Sequence, residues 1–188
     1  MKKTLVLLSF TAAVSASAMT DDCRVLCDEQ FWISATGESV ELLVADGANV
    51  NAYDGLGGTP LHWAATVADG ESIVALLEAG ADLNARDGND WTPLELAIFF
   101  GSGEAVTVLT LAGAEVNTNA LIGWTPLHLA ALMGTPESVT ALLNTGADRE
   151  AVNHDGETPF DLAQYNDNLV ATQAFWALNG TVISSELN

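Results

Sequence analysis

A Thr-Pro pair recurs four times along this chain, at Thr59-Pro60, Thr92-Pro93, Thr125-Pro126 and Thr158-Pro159, always at the same interval. A single compact core has no reason to produce a constant spacing of that length. Such a 33-residue period marks one supersecondary unit copied along the chain, each copy burying its apolar face on the next. The copies open TPLHWAA, TPLELAI, TPLHLAA and TPFDLAQ. Leu26 stands one period before Thr59; Thr-Pro is missing there, but Glu38, Gly47 and Ala48 keep the register. The expected units lie near 26–58, 59–91, 92–124, 125–157 and 158–188, with the two ends degenerate.

Each unit reads as two short antiparallel helices. Thr is a favourable N-cap, and Pro suits the first helical position, where its missing N–H costs nothing. A second set of caps, Thr36, Asp69, Ser102, Thr135 and Asn168, starts the second helices, with Glu in the first turn of four of them. Gly47, Gly80, Gly113 and Gly146 end those helices, where a left-handed residue is wanted. Asp-Gly pairs between the units supply hairpin-turn chemistry. The core repeats too. Leu61, Leu94, Leu127 and Phe160 share one position, and Ala64, Ala97, Ala130 and Ala163 another. Val40/Leu43, Ile73/Leu76, Val106/Leu109 and Val139/Leu142 lie three apart on one face of the second helix.

Thr-Pro-Leu-His-x-Ala-Ala, a capped helix, and then Leu-Leu-x-x-Gly-Ala at a 33-residue step resemble the ankyrin repeat. The resemblance spans roughly residues 21 to 188 and implies an all-α helical solenoid of about five helix pairs with hairpin loops. Glu95 and Asp161 depart from it by replacing the motif histidine, and the last unit moves its glycine to Gly180. Atypical end units are expected, because their outer faces meet water.

Residues 1–18 stand apart from the repeats, leaving 19–188 as the repeat domain. Lys2-Lys3 precede an apolar run from Leu5 to Val14, and Ala16-Ser17-Ala18 is a small-x-small cleavage site. This is the pattern of a secretory signal whose apolar stretch is too short to span a bilayer. It places the mature chain in a bacterial periplasm, with the secreted medium as second choice. Removing it takes away both lysines. Three arginines then face 25 acidic residues, a formal charge of −22 (3 − 25). A charge of that sign repels phosphate backbones, so nucleic acid is a poor partner.

Cys23 and Cys27 lie four apart at the start of the first unit. In an oxidising compartment an isolated pair is read as a disulfide stapling a weak solenoid end. Thr20-Asp21-Asp22 would start a helix carrying both cysteines on one face. The C-x-x-x-C spacing differs from that of redox-active pairs, and no histidine lies near to complete a metal site.

No catalytic motif is present, and the mature chain, lacking lysine, has no Schiff-base chemistry. His62 and His128 occupy the same repeat position, where the resemblance implies a structural hydrogen bond beside the threonine. His154 falls in a turn. The expected protein is therefore no enzyme and needs no cofactor or metal.

The resemblance also implies two partner-facing sets, the hairpin tips before Thr-Pro and the end of each first helix. In this chain they are Leu56, Thr66 and Val67, Trp91, Phe99 and Phe100, Leu121, Ile122 and Trp124, Leu132 and Met133, and Tyr165. Positions free to be polar are mostly apolar. An aromatic side chain covers about 150–250 Å², so even partial exposure of this set exceeds the largest apolar patch of an ordinary monomer, about 300–600 Å². Trp124 falls where other units carry Gly58 and Glu157, so its bulk is not a packing demand of the repeat. The leading reading is a monomeric periplasmic scaffold or adaptor binding another exported protein. An immunity-type inhibitor of a basic toxin or hydrolase is the second reading, and a thiol redox factor the third. Intact-mass measurement on a periplasmic fraction is expected to find a chain beginning at Met19. A full-length cytoplasmic product would remove both the export and the disulfide arguments.

Overall fold

The computed structural model describes residues 25–67, 70–100, 102–118 and 123–180. Residues 1–18, on which the expected secretory signal falls, Cys23, Asp69, Leu121 and Ile122 lie outside the described residues. The helices are α1 Glu29–Trp32, α2 Gly37–Ala45, α3 Pro60–Val67, α4 Gly70–Glu78, α5 Pro93–Phe99, α6 Gly103–Leu111, α7 Pro126–Met133, α8 Pro136–Asn144, α9 Pro159–Ala163 and α10 Gln173–Leu178. First helices α1, α3, α5, α7 and α9 stack in one layer, and second helices α2, α4, α6, α8 and α10 in another. The result is an all-α solenoid of helix pairs, as the repeat period requires. Among the described residues, no helix is long and apolar enough to cross a membrane.

The Thr-Pro caps have a common geometry. Thr92, Thr125 and Thr158 accept a bond from the backbone N–H three residues on. The side chain at that third position returns the bond to the threonine N–H, from Glu95 (2.8 Å), His128 (3.2 Å) and Asp161 (2.8 Å). These are reciprocal capping boxes. Thr36, Ser102 and Thr135 cap the second helices, each accepting from the backbone N–H three residues on, with the return bond made at Thr36. The four recurrent glycines all turn left-handed after those helices, with φ between 87° and 96°.

The core follows the register. Ala64, Ala97, Ala130 and Ala163 are completely buried, as are Val40, Ile73, Val106 and Val139. Small alanines bring neighbouring first helices close, and the branched residues fill the space between layers.

Asparagines stitch the units together. Asn51 Nδ2 donates to the Gly80 carbonyl (2.9 Å), and Asn51 Oδ1 accepts from the Asp82 amide (2.7 Å). Asn117 repeats both bonds with Gly146 (3.0 Å) and Asp148 (2.8 Å). Asn84 Oδ1 accepts from the Glu115 amide (3.0 Å). In the fourth unit Arg149 takes over, donating to the Ala177 carbonyl of the last (3.2 Å).

Two expectations change. Residues 25–27 form a turn, and the first described helix is α1, after Asp28. Asn168 does not cap the last second helix; Thr172 does, accepting from the Phe175 amide (3.2 Å). The segment before it folds into turns around buried Asn166 and fully buried Leu169, which delays the helix start.

That detour forces Ala171 to φ 70°, a left-handed conformation that crowds its Cβ against the backbone. Ala171→Gly is therefore expected to raise stability by up to about 1 kcal/mol in urea titrations, since relief of strain exceeds the entropy cost of glycine.

Candidate functional site

The hairpins before Thr59-Pro60, Thr92-Pro93 and Thr158-Pro159 are held by one side chain apiece. The backbone closes from Asp54 N–H to the Gly58 carbonyl (2.8 Å), from Asp87 to Trp91 (2.9 Å) and from Asn153 to Glu157 (3.0 Å). Asp54 Oδ1 accepts from the Leu56 and Gly58 amides (2.7 and 2.8 Å). Asp87 Oδ1 bonds the Asn89 and Trp91 amides in the same way (2.8 and 2.9 Å), and Asn153 Oδ1 those of Asp155 and Glu157 (both 2.9 Å). An acceptor two residues from the amide it bonds makes an Asx turn, which fixes each tip against the stack.

Stacking aligns equivalent positions. Val67, Phe100 and Met133 share one repeat position at the ends of α3, α5 and α7, and all three are exposed. Thr66, Phe99, Leu132 and Tyr165 share the position before it. Phe99 and Phe100 are 49% and 58% exposed, and Tyr165 more so. The row ends at Asn166, the next residue in the Phe100 register, which is buried and donates to the Gly134 carbonyl (3.0 Å).

The aromatics join into a ladder. The Trp91 ring meets Phe99 edge-on at 5.5 Å, and Phe99 meets Phe100 edge-on at 5.4 Å. Edge-to-face contacts of this kind hold rings in fixed orientation while leaving their outer faces free. The ladder runs from the second hairpin to the end of α5. Leu56 stands exposed on the preceding hairpin tip.

Three sequence-selected residues are placed less freely. Trp91, Trp124 and Leu132 are half-buried and pack against the core. Trp124 lies 6.3 Å from the His128 ring, and its indole N–H is buried. The expectation that the bulk of Trp124 carries no packing duty is corrected: the residue is half-buried and packs against the core. Leu121 and Ile122, named with it, lie outside the described residues.

His62 and His128 sit behind the strip and tie units together. His62 Nδ1 lies 3.1 Å from the Thr59 amide and 2.9 Å from its hydroxyl, while Nε2 lies 3.0 Å from the Trp91 carbonyl. His128 repeats this with Thr125 (3.2 and 2.9 Å) and the Glu157 carbonyl (3.0 Å). A carbonyl only accepts, so Nε2 carries the proton and Nδ1 is the bare acceptor. Both histidines are therefore neutral parts of the scaffold. Burial pushes the pKa of each below the ordinary histidine value, against weaker opposing bonds to Trp91 and Glu157 carbonyls. Sequence reasoning anticipated the threonine bond but not the carbonyl reached on the next hairpin, nor the asparagine stitches, because only stacking brings those atoms together.

A histidine held neutral in the fold protonates first in the unfolded chain, so stability is lost as pH falls below about 6.5 toward the depressed native values. Melting temperature is expected to drop between neutral pH and pH 5. That drop should shrink in His62→Gln and His128→Gln, which keep one donor and one acceptor without titrating.

A family model described as ankyrin repeats (3 copies) matches residues 31–120 and 103–175, well over half of the chain. No curated protein matches it.

Proposed function

Because the chain belongs to the ankyrin-repeat family, we propose that it is a non-enzymatic periplasmic module that binds another exported protein through its first-helix ends and hairpin tips. Ankyrin repeats are generally protein–protein interaction modules. The observation that carries the reading is the Trp91–Phe99–Phe100 ladder, continued by Val67 and Met133 on adjoining repeats. These residues share register positions that can be polar, as Thr66 and Asn166 are, so bulk there serves something other than the repeat. Trp, Phe and Met are the types enriched at interface centres. Leu56 and Tyr165 join the proposed set as exposed residues and Trp124 and Leu132 as half-buried ones; Leu121 and Ile122 belong to it by their position in the sequence.

Export rests on the charged, apolar and small-x-small segments of residues 1–18. The proposed Cys23–Cys27 bridge would close the N-terminal end of the repeats, beside α1, a helix of a single turn. The described cysteine, Cys27, is not a free thiol, in keeping with that bridge.

A second reading, inhibition of a basic exported toxin or hydrolase, draws on charge. Asp90 and Asp155 are exposed on hairpin tips, and three arginines face 25 acids in the chain without its leader. Binding of a basic partner would weaken steeply with salt, whereas a partner held by the aromatic strip would respond little.

Capture from periplasmic extract, followed by titration of the recovered partner, tests the reading. Phe100→Ala is expected to leave folding within about 1 kcal/mol of the parent, as for most exposed positions. It should weaken binding by about 2 kcal/mol or more, the scale of an interface hot spot. Leu127→Ala should do the reverse, destabilising the fold by about 2–5 kcal/mol through a cavity in a fully buried position. A Phe100→Ala variant that melts early and binds normally would assign the ladder to packing.

A further inference from the structure

Glu95 occupies the position of His62 and His128 but does only half of their work. Its Oε2 accepts from the Thr92 amide (2.8 Å) and hydroxyl (3.1 Å), so the capping box is intact. Where the histidines turn a second nitrogen outward and donate to a carbonyl of the next hairpin, Glu95 offers another oxygen. The equivalent carbonyl in this unit is that of Trp124, which a carboxylate has no proton to satisfy. Glu95 is 2% exposed, and its Oε1 is buried with no hydrogen-bond partner among the described residues. Asp161 makes the same replacement in the last unit, but it is exposed to water there.

Two more buried side-chain atoms without partners among the described residues, Thr118 Oγ1 and Trp124 Nε1, fall in the same unit, 92–124. Natural folds leave few such atoms, and their concentration in one repeat marks a local conflict. The asparagine stitches on either side are intact, at Asn84 to Glu115 and Asn117 to Gly146 and Asp148. Glu95 Oε1 lies on the first-helix side, in α5, and Thr118 Oγ1 in the loop after α6.

We propose that Glu95 makes the junction between the third and fourth repeats a seam at which the folded solenoid opens, separating α7–α10 from α1–α6 before the whole chain unfolds. In a linear stack each repeat is held by its neighbours alone, so one weakened interface sets where the array divides. The seam also divides the apolar strip. Phe99 and Phe100 lie on one side and Met133 on the other, so a protein contacting both selects the closed form and stabilises it.

Native-state hydrogen exchange of the full chain, read by mass spectrometry, tests the seam with Glu95→Gln and Glu95→His. Each variant keeps an acceptor for Thr92 and gains a donor where Oε1 now lies. Amides of α7–α10 are expected to exchange about tenfold more slowly in at least one variant, from removing a buried unpaired acceptor. Amides of α2–α4 should keep their parent rates. Unchanged α7–α10 rates in both variants, or equal slowing throughout the chain, would overturn the proposal. Neither substitution touches the strip, so a failure here leaves the binding reading standing.

Discussion

The bond between each Thr-Pro threonine and the side chain three residues later is the contact on which the stack depends. It closes the first turn of the first helix by satisfying an amide that no helical carbonyl can reach. Where that side chain is histidine, its far nitrogen also reaches the next hairpin, at the Trp91 and Glu157 carbonyls. One residue thus caps a helix and fastens a unit to its successor. Histidine does both because its two nitrogens hold opposite roles in the neutral ring, one accepting and the other donating. A carboxylate serves the first role equally well and the second not at all. Glu95 and Asp161 therefore preserve every first helix while changing how the units are joined.

Asparagine does for the second layer what histidine does for the first. The amide of Asn51 or Asn117 donates through nitrogen and accepts through oxygen, spanning the loops of two successive units. These joints are partly exposed, so each contributes on the order of 1 kcal/mol or less, and their strength lies in repetition. With alanines allowing close helix approach and branched residues filling the interlayer space, the stack becomes a rigid ruler. Side chains at equivalent positions must then lie in line. That rigidity turns Val67, Phe100 and Met133 from three scattered apolar residues into a strip.

The strip is exposed for a reason internal to the repeat. The ends of the first helices project beyond the interlayer core, so nothing among the described residues covers them, and the edge-on rings of Trp91, Phe99 and Phe100 brace one another instead. Fixed rings lose little freedom when a partner arrives, which suits them to recognition. Trp91 and Trp124 share one register, and both are half-buried against the core rather than fully exposed.

By itself the sequence determined the architecture. The constant repeat step, the Thr-Pro caps, the glycines before each new unit and the three-apart apolar pairs of the second helices are local rules acting over a few residues, and each held where it is described. It also pointed to Phe99, Phe100 and Met133, which are exposed, together with Trp91, Trp124 and Leu132, which pack against the core. Tertiary structure alone decided the rest. The tautomer of His62, the partners of Asn51 and Asn117, the late start of α10 at Gln173 and the burial of Trp124 all depend on atoms from separate segments meeting. Stacking creates those meetings, and a one-dimensional pattern carries no record of which side chain will fill a space that its neighbours leave. The unpartnered oxygen of Glu95 is the sharpest case, legible in sequence only as a departure from histidine and meaningful only once the oxygen is found buried with nothing among the described residues to bond.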